Sequence, residues 1–579
     1  MDHAMKCTPK RIWWKETVVY QIYPRSFMDA DGDGVGDLKG IISRLDYLQA
    51  LGVGALWFSP IFKSPNDDMG YDISDYRDIM DEFGTLDDFR ALLAGAKARG
   101  IRVLLDLVAN HTSDEHEWFQ KSVLREEPYT DYYIWRDPKP DGSEPNNWMS
   151  HFAPSAWTYC EERGQYYLHL FSKKQPDLNW ENPRVRAEIH AVARYWLDMG
   201  VSGFRLDTSN MYSKTPGLPD VPGEGYQWGG RHFMNGPRVH EFIQEMHREV
   251  FRHYDCMTVG EAADTSAEDS LLYTGEARGE YGMIIQFEPF DTDRDTENPC
   301  WTRAPYDPVR LRDILIHWQE ALADDGWNCL CLSNHDQPRP ASRFAEGADG
   351  ARMLAIMLHT LRGTPFVYQG EELGMTNAVF RSMGEYRDIS THNALALLEA
   401  REGKGFEEAR EVLNHFSRDN ARTPMQWTDG AQAGFTAGTP WLKVNENYTE
   451  INAEAQRRDP DSVWNCYRQL IALRRAHPCL VYGDFVNLEI GPLPVFCFLR
   501  SDGDECFYTL VNLSGGSVDY PLPDAYDRGA TRILSNMGEA ETTKEKGGRA
   551  ILRLPPWYAE LRCRQTRAAT ASKNSTVPT

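Results

Sequence analysis

The amino-acid sequence predicts an α/β protein: a (β/α)₈ TIM barrel with a small domain inserted after strand three and a C-terminal antiparallel β-sandwich domain. Three observations support this prediction. Eight short apolar segments alternate with helical patterns over the first 370 residues. A long interval rich in aromatic and polar residues interrupts this rhythm once, after the third segment. Beyond residue 482 the pattern changes to short strand candidates separated by turns.

The eight apolar segments are the predicted strands of the barrel. Nearly continuous apolar runs are typical of parallel strands that are buried on both faces, and eight strands close a (β/α)₈ barrel. A doubly wound open sheet is the alternative architecture. The predicted strands are 18–23, 55–59, 102–108, 203–207, 257–261, 283–287, 329–333 and 365–370.

Between the strands, apolar residues recur at helical spacing. The segment 183–200 shows this best, because it begins with a proline and ends with a glycine. After strand three, about 75 residues pass before this helix, and a structureless loop of that length is uncommon inside a compact domain. The predicted divisions are barrel at 1–108, inserted domain at 109–177, barrel at 178–481 with a helical extension at about 375–480, β-domain at 482–563 and a disordered tail at 564–579.

The composition is that of a soluble globular protein whose ligand carries little charge. Hydrophobic residues make up 41% of the chain, and the formal net charge is −24. This charge argues against nucleic acid or an anionic membrane as a partner. The chain shows no apolar run typical of a signal peptide or a membrane helix, and its eleven cysteines lack paired spacing. Reduced thiols and a cytoplasmic location are therefore expected, with Cys329 and Cys331 as buried strand residues.

Charged side chains concentrate at the ends of the predicted strands, where a TIM barrel places its active site. Carboxylates from separate strands should converge there, together with two histidines and an arginine. Like charges in one cleft raise one another's pKa values, which is typical of acid–base chemistry. The residues are Asp106, His111, Arg205, Asp207, Glu261, His335 and Asp336.

Two chemistries use such an arrangement, namely metal-assisted hydrolysis and glycoside hydrolysis. A metal hydrolase is expected to show a clustered signature such as HExxH, but His111 and His116 are five residues apart. Glycoside hydrolysis requires paired carboxyl groups, and a sugar site also uses aromatic platforms. The chain contains 17 tryptophans and 27 tyrosines. The sequence therefore favours glycoside hydrolysis.

Several motifs together resemble glycoside hydrolase family 13, the α-amylase family. The similarity is greatest to its exo-acting branch of α-glucosidases, oligo-1,6-glucosidases, dextran glucosidases and sucrose isomerases. The motifs are QIYPRSF, DLVANHTS, GFRLD, VGEA and SNHDQPR, and further matching segments extend over roughly residues 12–563. The resemblance implies a retaining double displacement with Asp207 as nucleophile and Glu261 as acid/base. Asp336 would steady the sugar and its oxocarbenium-like transition state.

The same resemblance implies a pocket for one glucose ring. Asp68 and Arg422 match the pair that grips the non-reducing glucose, and Tyr71 matches the residue that stacks on it. The two histidines would hydrogen-bond its hydroxyls, and Arg205 would favour the ionised form of Asp207. For Phe171, simple core packing is the alternative interpretation. The implied pocket residues are Asp68, Tyr71, His111, Phe171, Gln175, Arg205, His335 and Arg422.

The residue after the nucleophile tracks linkage preference in this branch, with valine in α-1,6-glucosidases and threonine in maltases and sucrose-acting members. Here it is Thr208. We therefore predict an exo-acting α-glucosidase for short α-1,4-linked oligosaccharides of the maltose type, which also cleaves sucrose. The alternatives are an oligo-1,6-glucosidase of the isomaltose or dextran type and a sucrose isomerase, whose arginine-rich loop is matched here only by Arg294. A non-catalytic scaffold relative is the most distant alternative, because those relatives carry a transmembrane helix and lack catalytic residues.

Residues 29–37 read DADGDGVGD and resemble the first half of a calcium loop. An EF-hand needs a glutamate at position twelve, which is Gly40 here, so a calcium sensor is not expected. Some members of this enzyme branch hold a structural Ca²⁺ or Mg²⁺ in this βα loop, and an ion-free turn is the alternative. No organic cofactor is expected, and the protein should be a monomer or weak homo-oligomer that binds small neutral α-glucosides. The implied metal ligands are Asp29, Asp31, Asp33, Asp37 and the Val35 carbonyl.

Overall fold

Eight parallel strands form the central sheet of the protein. The computed structural model describes residues 11–152, 154–296, 300–488, 491–544 and 550–565. Five predicted strands run to within one residue of the observed limits, and three are observed as shorter strands. The strands are β1 Val19–Ile22, β2 Ala55–Phe58, β3 Arg102–Val108, β4 Gly203–Asp207, β5 Met257–Glu261, β6 Met283–Ile285, β7 Cys329–Leu330 and β8 Thr364–Tyr368.

The strand order closes the sheet into a barrel. Neighbouring strands follow the order β6-β5-β4-β3-β2-β1-β8-β7, with every pairing parallel. A single parallel bridge between Ile284 and Asn328 joins the two ends of this order. The predicted TIM barrel is thus confirmed, and the carboxyl ends of all eight strands face one mouth.

Helices follow the strands and cover the outside of the barrel. The predicted helix after β3 is observed at Pro183–Met199, and the side chain of Asn182 accepts a hydrogen bond from the Arg184 amide at its start. Gly200 ends this helix with φ = 112°, a left-handed conformation that glycine adopts without steric cost. The other longer barrel helices before the extension are Leu38–Ser43, Leu45–Leu51, Leu86–Ala98, Val239–Glu249, Ala267–Thr274, Pro308–Ala321 and Gly347–Thr360.

The interval after β3 carries its own small sheet, as the sequence predicts. It begins with the helix Glu117–Val123, and three antiparallel strands follow at Trp135–Arg136, Trp157–Cys160 and Gln165–Leu168. A further two-residue strand, Trp148–Met149, pairs in parallel with Gln227–Trp228 of the loop that follows β4. The inserted residues are therefore tied to a loop of the barrel mouth.

The C-terminal residues form two antiparallel sheets whose side chains share a core, which is the predicted β-sandwich. One sheet has five strands and the other has three. Residues 566–579 of the predicted disordered tail lie outside the described residues. The five-stranded sheet contains Asp484–Asn487, Val495–Ser501, Glu505–Asn512, Thr531–Ser535 and Ala559–Gln565, and the three-stranded sheet contains Val518–Pro521, Glu541–Lys544 and Ala550–Leu554.

Helices also occupy the interval between β8 and the β-sandwich, where the sequence predicts a helical extension. The ten cysteines in the described ranges are all free thiols, and both Cys329 and Cys331 are buried as expected. Among the helices that the structure describes, none has the length and apolar character required to cross a membrane. The extension comprises Ile389–Glu402, Phe406–Phe416, Asp419–Arg422, Ala453–Arg458, Val463–Ala476 and Pro478–Tyr482.

Candidate active site

A single arginine at the barrel mouth holds three carboxylates. Arg205 on β4 lies opposite Asp106 of β3 in the strand register. Its Nη1 is 2.8 Å from Asp106 Oδ1 and 2.7 Å from Asp207 Oδ1, and its Nη2 is 2.6 Å from Glu261 Oε2. All four side chains are buried. The structure therefore brings the predicted nucleophile and the predicted acid/base onto one guanidinium.

Burial sets the proton balance of this cluster. It raises the pKa of Asp207 to about 7 and that of Asp106 to about 6, and it also raises the pKa of Glu261. The positive charge of Arg205 opposes the rise in each case. Because one positive charge cannot neutralise three carboxylates, the cluster retains a proton near neutral pH. The expected effect of Arg205 on Asp207 is present, but burial outweighs it.

Thr208 connects the two catalytic candidates. Its amide donates a hydrogen bond to Glu261 Oε2 at 3.0 Å, and its hydroxyl donates to Asp207 Oδ2 at 3.2 Å. The residue has φ = 38°, which is unusual for a β-branched side chain. Strained backbone of this kind persists where the surroundings fix it, and it is frequent at active sites. Thr208 thus fixes the relative position of the two carboxyl groups.

Asp336 lies beside two arginines and a histidine. Its Oδ1 is 2.8 Å from Arg422 Nη2 and 3.1 Å from Arg418 Nη1, and its Oδ2 is 3.0 Å from His335 Nε2. Burial opposes ionisation of this carboxyl. His335 and the two guanidiniums nevertheless hold the pKa of Asp336 well below its usual range. Asp336 is therefore an ionised group that cannot serve as the proton donor.

A second network of buried charges lies beside Asp336. Asp68 Oδ1 is 3.3 Å from Arg418 Nη2, and Gln175 Nε2 donates to Asp68 Oδ2 at 3.2 Å. Arg418 Nη2 also pairs with Asp388 Oδ1 at 2.6 Å. The resemblance linked Asp68 with Arg422, whereas Arg418 makes the direct contact with Asp68 here. Arg422 instead binds Asp336.

Arg418 and Asp388 were missed by sequence reasoning. Arg418 had a signal, because it lies one helical turn before Arg422 in the segment SRDNARTP and therefore shares its face. Asp388 had none, since it caps the helix Ile389–Glu402 and is distant in sequence from the strand ends. Only the tertiary fold places it against the arginines.

The remaining predicted residues lie around the same mouth. The rings of Tyr71 and His335 are stacked with centroids 5.2 Å apart, and the Tyr71 hydroxyl donates to Asp106 Oδ2 at 2.9 Å. His111 Nε2 is 3.2 Å from Gln175 Nε2, and burial lowers the pKa of His111 to about 4, so its ring is neutral. Phe171 contacts the His111 ring at 5.1 Å between centroids. The structure thus brings together every predicted pocket residue.

A small cavity of about 190 Å³ adjoins the site. Asp336 and Arg418 form one side of it, and Arg294 lies on another. The guanidinium of Arg294 lies over the Phe416 ring, 5.9 Å from its centroid. The one arginine that matched the isomerase loop is therefore next to the candidate catalytic groups.

The loop 29–37 brings three aspartates together. Carboxylate oxygens of Asp29, Asp31 and Asp37 all lie within 4.8 Å of one another, which fits the oxygen ligands that Ca²⁺ and Mg²⁺ prefer. Asp33 is not in this group, and its Oδ1 instead accepts a hydrogen bond from the Val35 amide at 2.7 Å. A structural cation held by Asp29, Asp31 and Asp37 stays a prediction.

Comparisons with known proteins decide the family. Residues 21–483 match the family described as Alpha amylase, catalytic domain. The chain belongs to the α-amylase family. This confirms the resemblance read from the motifs, and with it the hydrolase class and the barrel fold.

Three relatives show how far this family similarity extends. The chain is 51% identical over 564 residues to the oligo-1,6-glucosidase of Parageobacillus thermoglucosidasius, covering 95% of this chain and 99% of that enzyme. It is 45% identical over 507 residues to the trehalose-6-phosphate hydrolase of Escherichia coli strain K12, covering 87% and 91%. Among solved structures, the isomaltulose synthase of Erwinia rhapontici NX5 matches with a TM-score of 0.90 and 41% identity, covering 96% of this α-amylase family chain and all of that one. These names support the α-1,6 alternative better than the maltose-type prediction.

Proposed function

We propose that this α-amylase family protein is a retaining, exo-acting α-glucosidase whose main substrates are short α-1,6-linked glucosides of the isomaltose type. The main observation in support of this chemistry is that Asp207 and Glu261 both form ion pairs with the guanidinium of Arg205. The oligo-1,6-glucosidase relative supports the linkage.

The two carboxyl groups suit a double displacement. Asp207, ionised, attacks the anomeric carbon as the bond to the leaving oxygen breaks, and Glu261 gives its proton to that oxygen. Glu261 Oε2 is already ion-paired with Arg205 and accepts a hydrogen bond from the Thr208 amide, so the acid proton resides on Oε1. In the second step, Glu261 takes a proton from water, and the resulting hydroxide displaces Asp207 from the sugar.

The charged wall around the mouth supports action at a chain end. Asp68, Arg418, Asp388 and Arg422 form a continuous set of ion pairs next to Asp336. Carboxylates and guanidiniums facing a sugar bind its hydroxyls by charge-assisted hydrogen bonds. A non-reducing glucose bound against this wall leaves the rest of its chain to extend outward.

An α-1,4 preference is the second candidate. It is favoured by Thr208, whose hydroxyl lies 3.2 Å from Asp207 Oδ2. A hydroxyl in that position offers a hydrogen bond that a valine cannot make. Sucrose cleavage belongs to the same candidate.

Product analysis tests the proposal. Purified protein is incubated separately with isomaltose, maltose, sucrose and trehalose 6-phosphate, and the anomer first released is identified by proton NMR. We expect the highest kcat/KM with isomaltose and initial release of α-glucose. A preference for trehalose 6-phosphate, an isomeric disaccharide from sucrose, or initial release of β-glucose would each overturn the part of the proposal it addresses.

Asp207→Asn identifies the nucleophile in the same assay. The variant should retain the fold and lose nearly all turnover, because an amide cannot form the glycosyl ester. Asp255→Asn is the matched control, since Asp255 is an exposed residue that pairs with Arg102 at the amino end of β3. Retention of a tenth of the wild-type activity by Asp207→Asn would exclude Asp207 as the nucleophile.

A further inference from the structure

A buried side-chain amide joins the loops that follow β4 and β5. Asn210 lies three residues after Asp207, in the short 3₁₀ helix Ser209–Met211, and it is fully buried. Its Nδ2 donates a hydrogen bond to the Ala263 carbonyl at 2.6 Å, and Ala263 lies two residues after Glu261. One hydrogen bond therefore connects the backbone beyond the proposed nucleophile with the backbone beyond the proposed acid/base.

Asn235, from the far end of the loop after β4, completes this connection. Its amide N–H donates to the Asn210 carbonyl at 2.9 Å, and its Oδ1 accepts from Asn210 Nδ2 at 3.3 Å. The same Oδ1 accepts from the Tyr273 hydroxyl at 2.6 Å, while Asn235 Nδ2 donates to the Asp264 carbonyl at 3.1 Å. Asn235 has φ = 50°, a left-handed conformation in which asparagine is enriched. The two asparagines thus tie the loop after β4 to the loop after β5 and to the helix that carries Tyr273.

Ser209 provides a second contact between the same two segments. Its Oγ donates to the Glu261 carbonyl at 3.1 Å. The end of β5 is closely packed here, since a Cβ added to Gly260 would lie 2.8 Å from Ser209 Oγ and 2.5 Å from the Tyr281 ring. The backbone on both sides of the Glu261 side chain is therefore held by the residues that directly follow Thr208.

These hydrogen bonds bear on Glu261 more than on Asp207. Both partners of the Glu261 carboxyl, Arg205 and the Thr208 amide, belong to the β4 segment. Asp207, in contrast, pairs with Arg205 of its own strand. Glu261 therefore keeps its place only while the segments after β4 and β5 stay together. A displacement of about 1 Å at a reacting group can cost about a hundredfold in rate.

We propose that Asn210, supported by Asn235, is a positioning residue for Glu261. By holding the Ala263 carbonyl, Asn210 keeps the segment after β5 in the place from which the Glu261 proton reaches the leaving oxygen. This inference rests on the proposed α-glucosidase function. Loss of the amide should weaken proton donation to the leaving group and leave nucleophilic attack by Asp207 largely intact.

Two substrates that differ in their need for a proton test this role. The leaving sugar of isomaltose takes a proton on its oxygen as the bond to the anomeric carbon breaks. α-Glucosyl fluoride releases F⁻ with the electron pair of the C–F bond and requires no proton. For Asn210→Leu we expect the ratio of kcat/KM for isomaltose to that for the fluoride to fall about thirtyfold, part of the roughly 10²- to 10⁴-fold that a general acid contributes. The loss on isomaltose should appear in kcat, with KM little changed.

Two further variants control for folding and stability. Asn235→Ala removes the support from an exposed position, so it should fold even where Asn210→Leu does not, and the ratio should fall about fivefold, the effect of roughly 1 kcal/mol. Asn512 is a buried asparagine of the β-sandwich whose Nδ2 donates to the Gly516 and Pro555 carbonyls at 2.8 and 2.7 Å. Asn512→Ala should lower the melting temperature and leave the ratio unchanged.

Glu261→Gln, measured in the same way, separates this inference from the proposed function. It should lower the ratio at least as far as Asn210→Leu does, because it removes the proton itself. An unchanged ratio in Glu261→Gln would contradict the proposed acid role and the inference with it. If Glu261→Gln behaves as expected, an equal loss on both substrates, or no loss, in Asn210→Leu and Asn235→Ala would overturn the positioning role alone. So would a similar fall of the ratio in Asn512→Ala, because lost stability would then explain the effect.

Discussion

At the scale of single residues, Arg205 is the group that joins the carboxylates of the candidate active site. It is the counter-ion of Asp106, Asp207 and Glu261 together, so the charge of each carboxylate affects the other two. Interacting groups of this kind titrate as a set, and their apparent pKa values belong to the set. Changes at Asp106 should therefore alter the pH dependence of a reaction in which Asp106 takes no direct part.

Asp106→Asn tests this coupling. The nucleophile must be ionised, so activity falls as the pH drops through the raised pKa of Asp207, about 7. The acid must be protonated, so activity also falls as the pH rises through the raised pKa of Glu261. Removing the neighbouring negative charge lowers both pKa values, and both limbs of the kcat/KM profile should move to lower pH. Limbs that stay in place would show that Asp106 is not coupled to the reacting pair.

Thr208→Val tests the linkage preference. The variant keeps the branched shape and loses the hydroxyl that donates to Asp207 Oδ2. We expect the ratio of isomaltose to maltose kcat/KM to increase, because the hydroxyl is the feature that favours the α-1,4 candidate. Thr208→Ser retains the hydroxyl and serves as the control. An equal ratio in all three proteins would mean that linkage is selected by other residues.

Sequence reasoning placed the proposed catalytic residues at one mouth because they follow strands. Asp207 and Glu261 end predicted strands whose limits match the structure, so their convergence follows from the barrel. Arg418 and Asp388 come from the helical extension, whose position relative to the mouth depends on long-range packing. The pKa shifts within the cluster could not be predicted from the sequence either, since they depend on burial.

At the scale of secondary-structure elements, the first βα loop is unusual for its density of carboxylates. Asp37 caps the helix Leu38–Ser43 through the Gly40 amide, while Asp29 accepts from the amides of Gly32 and Gly34. These hydrogen bonds hold the two carboxylates beside Asp31. Mutual repulsion makes the arrangement costly without a cation.

Chelation tests the structural cation. We expect the melting temperature to fall when divalent ions are removed with EDTA and to recover on adding Ca²⁺, because an ion bound only by the folded protein stabilises it. In Asp31→Asn this difference should shrink, since one ligand charge is lost. Asp46→Asn, on the neighbouring helix, is the control. A melting temperature that is insensitive to EDTA would refute the cation site and leave the catalytic proposal intact.

The strands differ in how well their ends could be predicted. The limits of β3, β4 and β5 agree with the sequence pattern, whereas β6 and β7 are shorter than their apolar runs. After β6 the chain turns at Phe287 into a short 3₁₀ helix, and after β7 it leaves strand geometry to present His335 and Asp336 at the mouth. After β7, Cys331 and Leu332 are buried without being in a strand, and after β6 Phe287 is partly buried outside a strand. Hydrophobicity alone therefore could not locate the ends.

At the scale of the whole molecule, one buried arginine, Arg500, joins the β-sandwich to the barrel, and a second, Arg474, ties the helix Val463–Ala476 to the barrel. Arg500 is fully buried and donates to the carbonyls of Thr360, Leu480 and Gly483. Arg474 donates to the carbonyls of His359 and Gly363. The acceptors of these guanidiniums are carbonyl groups rather than carboxylates. Each arginine therefore hydrogen-bonds several separate segments of the backbone at once.

Arg500→Met tests the importance of this junction. The substitution keeps an apolar stem but leaves several buried carbonyls without donors, and the free energy of unfolding should fall by about 3 kcal/mol. Urea denaturation measures the loss, and calorimetry shows whether barrel and sandwich still unfold together. The exposed Arg532→Met is the control, with little change expected. A loss as small as that of the control would mean that water readily replaces the arginine.

The loop after β4 is anchored at both ends. Thr208 at its start is bonded to Glu261, and Gln227–Trp228 near its end is paired with the inserted sheet. Between them, residues 222–225 are exposed. Extra residues inserted there would extend away from both anchors, because surface loops tolerate length changes at small entropic cost. Residues 222–225 are therefore a suitable place to insert a new binding loop that changes specificity and leaves the catalytic centre unchanged.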